Sequence, residues 1–433
     1  MSMLRRAALL LLPLSLACQR PEATARRSPQ DSTPSLALAP LSGPRNSDPQ
    51  DQEIARVQAV LRQGPQDADT WARLARAFVL KARSAGQPDL YNQAGDAAQR
   101  ALQLKPEHPA ALEVRQTVLL NAHRFAEARR LAQEILARRP RDVVAWGTLG
   151  DSALELGDYQ AAAGAYQQMI DLKPDLRSYN RGAWLRWLSG DGDGAVELMA
   201  QAAAAGAGEP RAFCLTQLGD LHFLRGRSPE ARAAYDEALS VHPRNPAALA
   251  ARGRLSLSTG RTEEALADLS ASLTALPLAA TRISYIEALW AAKKDSQASE
   301  ELARLKREGE REDPRAVALF YATHGIEPKR AVALAQQEAV ARPDIFSADA
   351  LAWALFRDGQ IEEAWLAIQP ATRLGTRDPR ILYHRGQIAA ARSPAVRGEA
   401  IETLKLALLQ SPRWDRHEPD EARATLARLQ GRP

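Results

Sequence analysis

The side chains here that could do chemistry are seven histidines, two cysteines and one glycine–aspartate run, and their spacing limits what each can do. The histidines stand at 108, 123, 222, 242, 324, 384 and 417. A zinc site of the HExxH kind needs two imidazoles one helical turn apart, and no pair here is that close. Each is therefore expected to be a hydrogen-bonded or exposed ring, and no metal is expected. His384, in Leu382-Tyr383-His384-Arg385-Gly386, could face a binding surface but has no nucleophile beside it. Gly190-Asp191-Gly192-Asp193-Gly194 offers two carboxylates, whereas an EF-hand spreads its ligands over twelve residues and ends on a glutamate. A tight turn is the expected role of that run. Cys18 and Cys214 are too few for a disulfide framework or a cysteine-based metal site, and Cys214 reads as a small packing residue. No GxSxG, Walker loop or dinucleotide fingerprint occurs. No enzyme and no cofactor are expected; only the irregular stretch 284–343 has room for a hidden site.

With bond-making chemistry set aside, the elements carry the reading. Prolines recur at 106, 140, 174, 210, 243, 277, 314, 343, 379 and 412, at intervals of 29 to 37 that average 34. A fixed period of this size marks a repeat array. Within one period, Val143 to Leu156 and Tyr159 to Leu172 each carry apolar residues at three and four spacing. Gly157-Asp158 separates them and Lys173-Pro174 ends the second. Proline cannot continue a helix interior, so the period punctuates helical hairpins and excludes one long coiled coil.

Small residues say how the hairpins pack. Trp146, Leu149 and Gly150 lie on the first helix, Gly157 at the turn, and Tyr159, Ala162 and Tyr166 on the second, before Pro174. Gly150 and Ala162 allow close approach while Trp146 and Tyr166 fill the space beside them. This pattern resembles the tetratricopeptide repeat, W-x2-L-G-x2-Y, then A-x3-F, then P. Leu215, Leu218, Gly219, Gly226, Ala231, Tyr235, Ala238 and Pro243 form a second good copy, and Leu249, Gly253, Gly260, Ala265, Leu269 and Pro277 a third. Looser copies begin at Trp71 and Leu112 and recur from Leu351 onward. The resemblance implies an all-α, right-handed superhelical solenoid of about ten hairpins. The expected organisation is an N-terminal array over 53–277, divergent helical repeats over 278–343, and C-terminal repeats with a capping helix over 344–433.

In this family the first helix of each repeat lines the concave face at positions the packing signature leaves free. Carried onto this sequence, those positions are Asp151, Asn180, Arg181, Trp184, Trp187, Asp220, Phe223, Arg254, Trp353 and Phe356. Trp184 and Trp187 lie in a repeat without the usual Leu-Gly pair, so both core and groove placements stay open for them. Aromatic rings mixed with Arg and Asn have the composition of binding hot spots, each worth about 2 kcal/mol or more.

Residues 1–17 have Arg5 and Arg6, an uncharged stretch from Ala7 to Ala17 and a small residue directly before Cys18. Eleven such residues cover roughly 16 Å as a helix, too short to span a bilayer and fitting a secretory signal. Leu14-Ser15-Leu16-Ala17-Cys18 resembles the lipobox of bacterial lipoproteins, with Ser15 where the family usually has Leu. The resemblance implies acylation of Cys18, as by palmitate; the alternative is an ordinary signal cut near Ala17. Several acyl chains would hold stably, at about 0.8 kcal/mol per buried CH2. Gln19 in place of Asp favours, by the same analogy, an outer-membrane lipoprotein facing the periplasm. Residues 18–52, rich in Pro and Ser and free of aromatic rings, are expected to be a disordered tether.

The chain of 433 residues carries a formal charge of +5, of which Arg5 and Arg6 supply two. A surplus this thin does not build the basic face nucleic acid needs, so no nucleic-acid partner is expected. The expected function is a non-enzymatic scaffold, held to the membrane by its lipid anchor, that binds segments of other cell-envelope proteins during assembly or secretion of an envelope complex. The alternative is a glycan-handling accessory in polysaccharide export, its rings stacking on sugars.

Overall fold

The computed structural model describes residues 36–38, 49–64, 67–85, 87 and 89–431. The signal segment, Cys18 and most of the tether lie outside the described residues. The described chain is helical throughout, and none of its helices is long and apolar enough to cross a membrane. Helix α1 (Pro49–Arg62) opens the stack. Ten hairpins follow: α2 (Ala68–Ala85) with α3 (Leu90–Leu104), α4 (Pro109–Asn121) with α5 (Phe125–Arg138), α6 (Val143–Glu155) with α7 (Tyr159–Leu172), α8 (Leu176–Leu188) with α9 (Gly192–Ala204), and α10 (Gly208–Leu224) with α11 (Ser228–Val241). The second five are α12 (Pro246–Ser258) with α13 (Thr262–Ala275), α14 (Ala279–Ala291) with α15 (Asp295–Arg304), α17 (Pro314–His324) with α18 (Pro328–Ala341), α19 (Ile345–Arg357) with α20 (Ile361–Ala371), and α21 (Pro379–Arg392) with α22 (Arg397–Gln410). A single turn, α16 (Glu310–Glu312), prolongs the seventh hairpin, and α23 (Glu418–Leu429) closes the array. The architecture is the superhelical solenoid that the repeat predicts.

The local reasons recur from hairpin to hairpin. Carboxylates or an amide cap the helix starts: Asp142, Asp158, Asp191, Asn245, Asp313 and Asp344 each accept a hydrogen bond from the first turn. Each such cap is worth about 1 kcal/mol. The residue that reverses the chain has positive φ at Gly157, Gly190, Gly226, Gly260 and Gly359, a conformation that costs a residue with a Cβ about 1 kcal/mol or more. Gly190 thus makes the turn expected of the glycine–aspartate run. His123 and Lys293 adopt the same left-handed conformation without being glycine. Inside the hairpins, a Cβ at Gly150 or Gly219 would run into the ring of Tyr166 or Tyr235, and one at Gly386 would sit 2.6 Å from Leu404. Glycine is what lets these helix pairs close.

One stretch gives the divergent repeats their form, and another departs from the expectation. Over 284–343 the repeat does not break; its second helix is lengthened instead, as α15 runs through a π-helical segment, Leu305–Gly309, into α16. That segment absorbs the 37-residue proline interval, and Glu312 at its end accepts a hydrogen bond from Ala279 N at the start of α14 (3.0 Å). At the other end, structure begins inside the expected tether. Leu36–Leu38 forms a short 3-10 turn, Gln58 Nε2 donates to Ala37 O (2.8 Å), and Ala37 N donates to Asp96 Oδ2 (3.0 Å). Ala37 is fully buried there, within the short apolar run from Leu36 to Leu41 that interrupts the polar segment.

The superhelix also closes on itself. The hairpin turns of the third to fifth repeats abut the inter-hairpin loops of the eighth to tenth, at sequence separations of 186 to 216 residues. Arg342 pairs with Glu155 (2.7 Å), Ile345 N donates to the Tyr159 hydroxyl (2.8 Å), and Ser411 Oγ donates to Phe223 O (3.4 Å). Arg373 donates to Gly157 O (2.9 Å) and lies over the Tyr159 ring. A Cβ at Gly157 would stand 2.5 Å from Pro343 O and one at Gly190 2.5 Å from Gly375 O, so these turn glycines also permit the edge-to-edge seam.

Candidate partner-binding groove

Counting back from each turn residue places the concave face. Six residues before the turn stand Asp151, Trp184, Asp220, Arg254, Glu287 and Trp353; three before it stand Leu154, Trp187, Phe223, Leu257, Trp290 and Phe356. Eight of these positions belong to the ten read from sequence, with Asn180 and Arg181 one helical turn earlier. Glu287 and Trp290 carry no such signal in the sequence because Lys293 replaces the marker glycine. Counting from Lys293, with its φ of 58°, finds both.

In the third to sixth repeats these groups are spent on one another. Asp151 receives two hydrogen bonds from Arg181 (both 2.7 Å) and one from the Tyr166 hydroxyl (3.0 Å). Asp220 receives the Tyr235 hydroxyl (2.8 Å) and Arg254 (3.3 Å). Burial, reinforced by the facing carboxylate, holds both tyrosines well above their usual range. Burial alone would lower the Arg181 guanidinium, yet Asp151 keeps it above its ordinary value. Burial raises the Asp220 carboxyl despite Arg254. These triads tie each first helix to the next and to the second helix behind it.

The aromatic positions divide. Trp187 is 1% exposed and Phe223 is buried, so both rings belong to the core. In its repeat Trp187 takes the register position that Leu154 holds one repeat earlier, a packing position. Trp184 is half-buried and stacks on Phe346 across the seam (6.2 Å between centroids), and Asn180 Nδ2 lies against Met199 Sδ (3.6 Å). Trp353 is buried, donates from Nε1 to Thr323 Oγ1 (3.0 Å), and packs on Phe356 (5.3 Å).

The concave face of the sixth to tenth repeats is different, for it retains a cavity of about 330 Å³. Leu257, Glu287, Trp290, His324, Trp353, Arg357 and Tyr383 line it from five successive first helices, and residues 415–418 and Glu421 line it from the C-terminal segment. Glu287 Oε1 is 3.1 Å from His324 Nε2, and the Tyr383 hydroxyl donates to Glu421 Oε2 (2.7 Å). Behind the wall lies a buried ionic group. His384 Nδ1 is 2.8 Å from Asp349 Oδ1, its Nε2 is 3.6 Å from Glu418 Oε1, and its ring stacks on Trp353 at 4.0 Å. Burial alone would lower the His384 imidazole, but Asp349 and Glu418 push it up to about 9. His384 thus joins the ninth and tenth repeats to the terminal helix. Cys214 is buried, which pushes its thiol up to about 11 and suits packing rather than reactivity. Among the described residues no group of three His, Cys, Asp or Glu side chains could hold a metal ion.

Residues 28–177 match the family model described as the cytochrome c-type biogenesis protein H TPR domain, and residues 216–280 match the tetratricopeptide repeat model. The chain belongs to the tetratricopeptide repeat proteins. Similar solved structures include the APC/C hetero-tetramer Cut9–Hcn1, at 17% identity and a TM-score of 0.48, covering 70% of this chain and 60% of that one. A thermophilic TPR protein of Thermus thermophilus matches at 22% identity and a TM-score of 0.39, covering 44% and 97%. Yeast Tom70 matches at 14% identity and a TM-score of 0.38, covering 87% and 95%. This chain therefore spans less than two thirds of the Cut9–Hcn1 chain it resembles. No curated protein matches it.

Proposed function

We propose that this protein is a non-catalytic scaffold, tethered to the bacterial outer membrane through an acylated Cys18 and facing the periplasm, that grips segments of other cell-envelope proteins during assembly or secretion. The observation that carries the reading is the concave wall itself: ten hairpins present successive first helices to one interior, and the C-terminal half keeps open, chemically mixed space there. A cavity walled by rings and ionisable groups suits a side chain from a peptide segment. The match of residues 28–177 to a domain named for cytochrome c-type biogenesis supports a role in assembling another protein. Sugar stacking has less support, because Trp187 is sealed in the core and Trp184 already lies against Phe346.

Crosslinking in intact cells followed by mass spectrometry tests the reading. It is expected to recover envelope proteins joined to the first helices of the sixth to tenth repeats; recovery of none argues against a scaffold. Intact-mass measurement of the mature chain tests the anchor: acyl mass on an N-terminal Cys18 is expected, and an N-terminus without it removes the tether.

A further inference from the structure

The cavity in the C-terminal half is more specific than a groove for chain. At about 330 Å³ it stands at the small end of ligand cavities, which run from about 300 to 1,000 Å³, and it has room for one long side chain rather than a length of backbone. Its lining is layered. On the floor, Glu418 is nearly buried and already receives Trp414 Nε1 (2.7 Å), while Glu287 and Asp415 are half-buried. Asp415 Oδ1 accepts from the backbone N of His417 and Glu418, and Glu287 Oε1 faces His324. Among the described residues the second oxygen of Glu287 and of Asp415 has no hydrogen-bond partner. The walls are flat rings: Trp290, which stacks on Phe320 (5.7 Å) and meets His324 edge-on (4.9 Å), with Trp353 and Tyr383 also in the lining. The basic residues are at the rim, where Arg357, Arg416 and His417 are exposed, the Arg357 guanidinium lying over the Trp353 ring (5.6 Å).

Burial raises both the Glu287 and the Asp415 carboxyls, and Asp415 raises Glu287 further. The floor thus holds carboxylates with spare acceptor oxygens beside ring faces, and among the described residues no arginine or lysine pairs with either of the two. A cation entering between the rings would meet both complements at once. A guanidinium fits better than an ammonium, since its planar fork reaches two acceptors while its faces stack.

We infer that this cavity receives the guanidinium of an arginine carried by the partner segment, held by Glu287 and Asp415 and stacked against Trp290. The inference rests on the scaffold reading for its partner but is tested without one. The full mature chain is titrated with Nα-acetyl-arginine N-methylamide and with the citrulline compound of the same shape and no charge, following tryptophan fluorescence and heat. The arginine compound should saturate, and the citrulline compound should bind at least tenfold more weakly. The double variant E287Q/D415N, with an unchanged helical melting profile, should lose at least tenfold in affinity for the arginine compound. Equal binding of the two compounds, no saturation by arginine, or an unaltered affinity in the double variant overturns the inference. Failure here leaves the scaffold reading to the in-cell crosslinks. Saturation by arginine with no crosslinked partner would instead keep the cavity and remove the scaffold.

Discussion

The third to sixth repeats and the sixth to tenth place the same register positions on the concave face and use them in opposite ways. In the first region Asp151 and Asp220 are each closed by an arginine from the next repeat and a tyrosine from the helix behind. In the second, Glu287 stands at the position of Asp151 but meets a histidine, His324, in place of the arginine and tyrosine, and Asp415 from the terminal segment adds a further carboxylate. A repeat position therefore has no fixed role. A satisfied carboxylate there is a strut between neighbours, and an incompletely satisfied one keeps acceptor capacity for the guanidinium proposed above.

Substitution and pH should separate the two regions, and the largest effect is expected from His384. Its folded value of about 9 lies above the ordinary 6.5, so its contribution is fully present below pH 6.5 and is lost as pH rises through 9. The facing groups are Asp349, Glu418 and Arg380. A shift of this size corresponds to on the order of 3 kcal/mol. Hydrogen exchange between pH 6.5 and 9.5, corrected for intrinsic rates, should show α21 and α23 losing protection while α6 and α7 keep theirs.

Next comes Asp151→Ala, which strands the Arg181 guanidinium and the Tyr166 hydroxyl. Breaking a buried pair costs about 3–5 kcal/mol, and since both side chains keep about a quarter of their surface, a loss of about 2 kcal/mol in urea unfolding is expected. Tyr159→Phe removes the acceptor for Ile345 N at the seam and should cost about 1 kcal/mol, with faster exchange at the start of α19. Smallest is Glu287→Gln, which removes a carboxylate already disfavoured by burial. Its effect on stability should fall within about 0.5 kcal/mol of zero, against the much larger loss for the register-equivalent Asp151→Ala.

How far the sequence could be read follows the same division. Hairpins were legible because proline, turn glycine and the small residues at 150 and 219 act within one period of the chain. The struts were half legible: Asp151, Arg181, Asp220 and Arg254 were picked out by position, but their pairing depends on the spacing between helices of successive repeats. Trp184 and Trp187 could not be assigned from their own repeat, since Phe346, on which Trp184 stacks, comes from a superhelical coil five repeats later. The seam has no local signal at all, for it joins turns and loops 186 residues apart. The cavity has no local signal because the C-terminal segment that completes it carries no repeat signature and Lys293 hides the register of Glu287 and Trp290.

On the proposed reading, partners are gripped in the C-terminal half of the concave face while the middle repeats hold the frame. Photo-crosslinking residues placed singly at positions 357 and 184 in intact cells test it most directly. Partner adducts are expected from position 357, at the cavity rim, and none from position 184, beside the seam; adducts from 184 with none from 357 would overturn that reading.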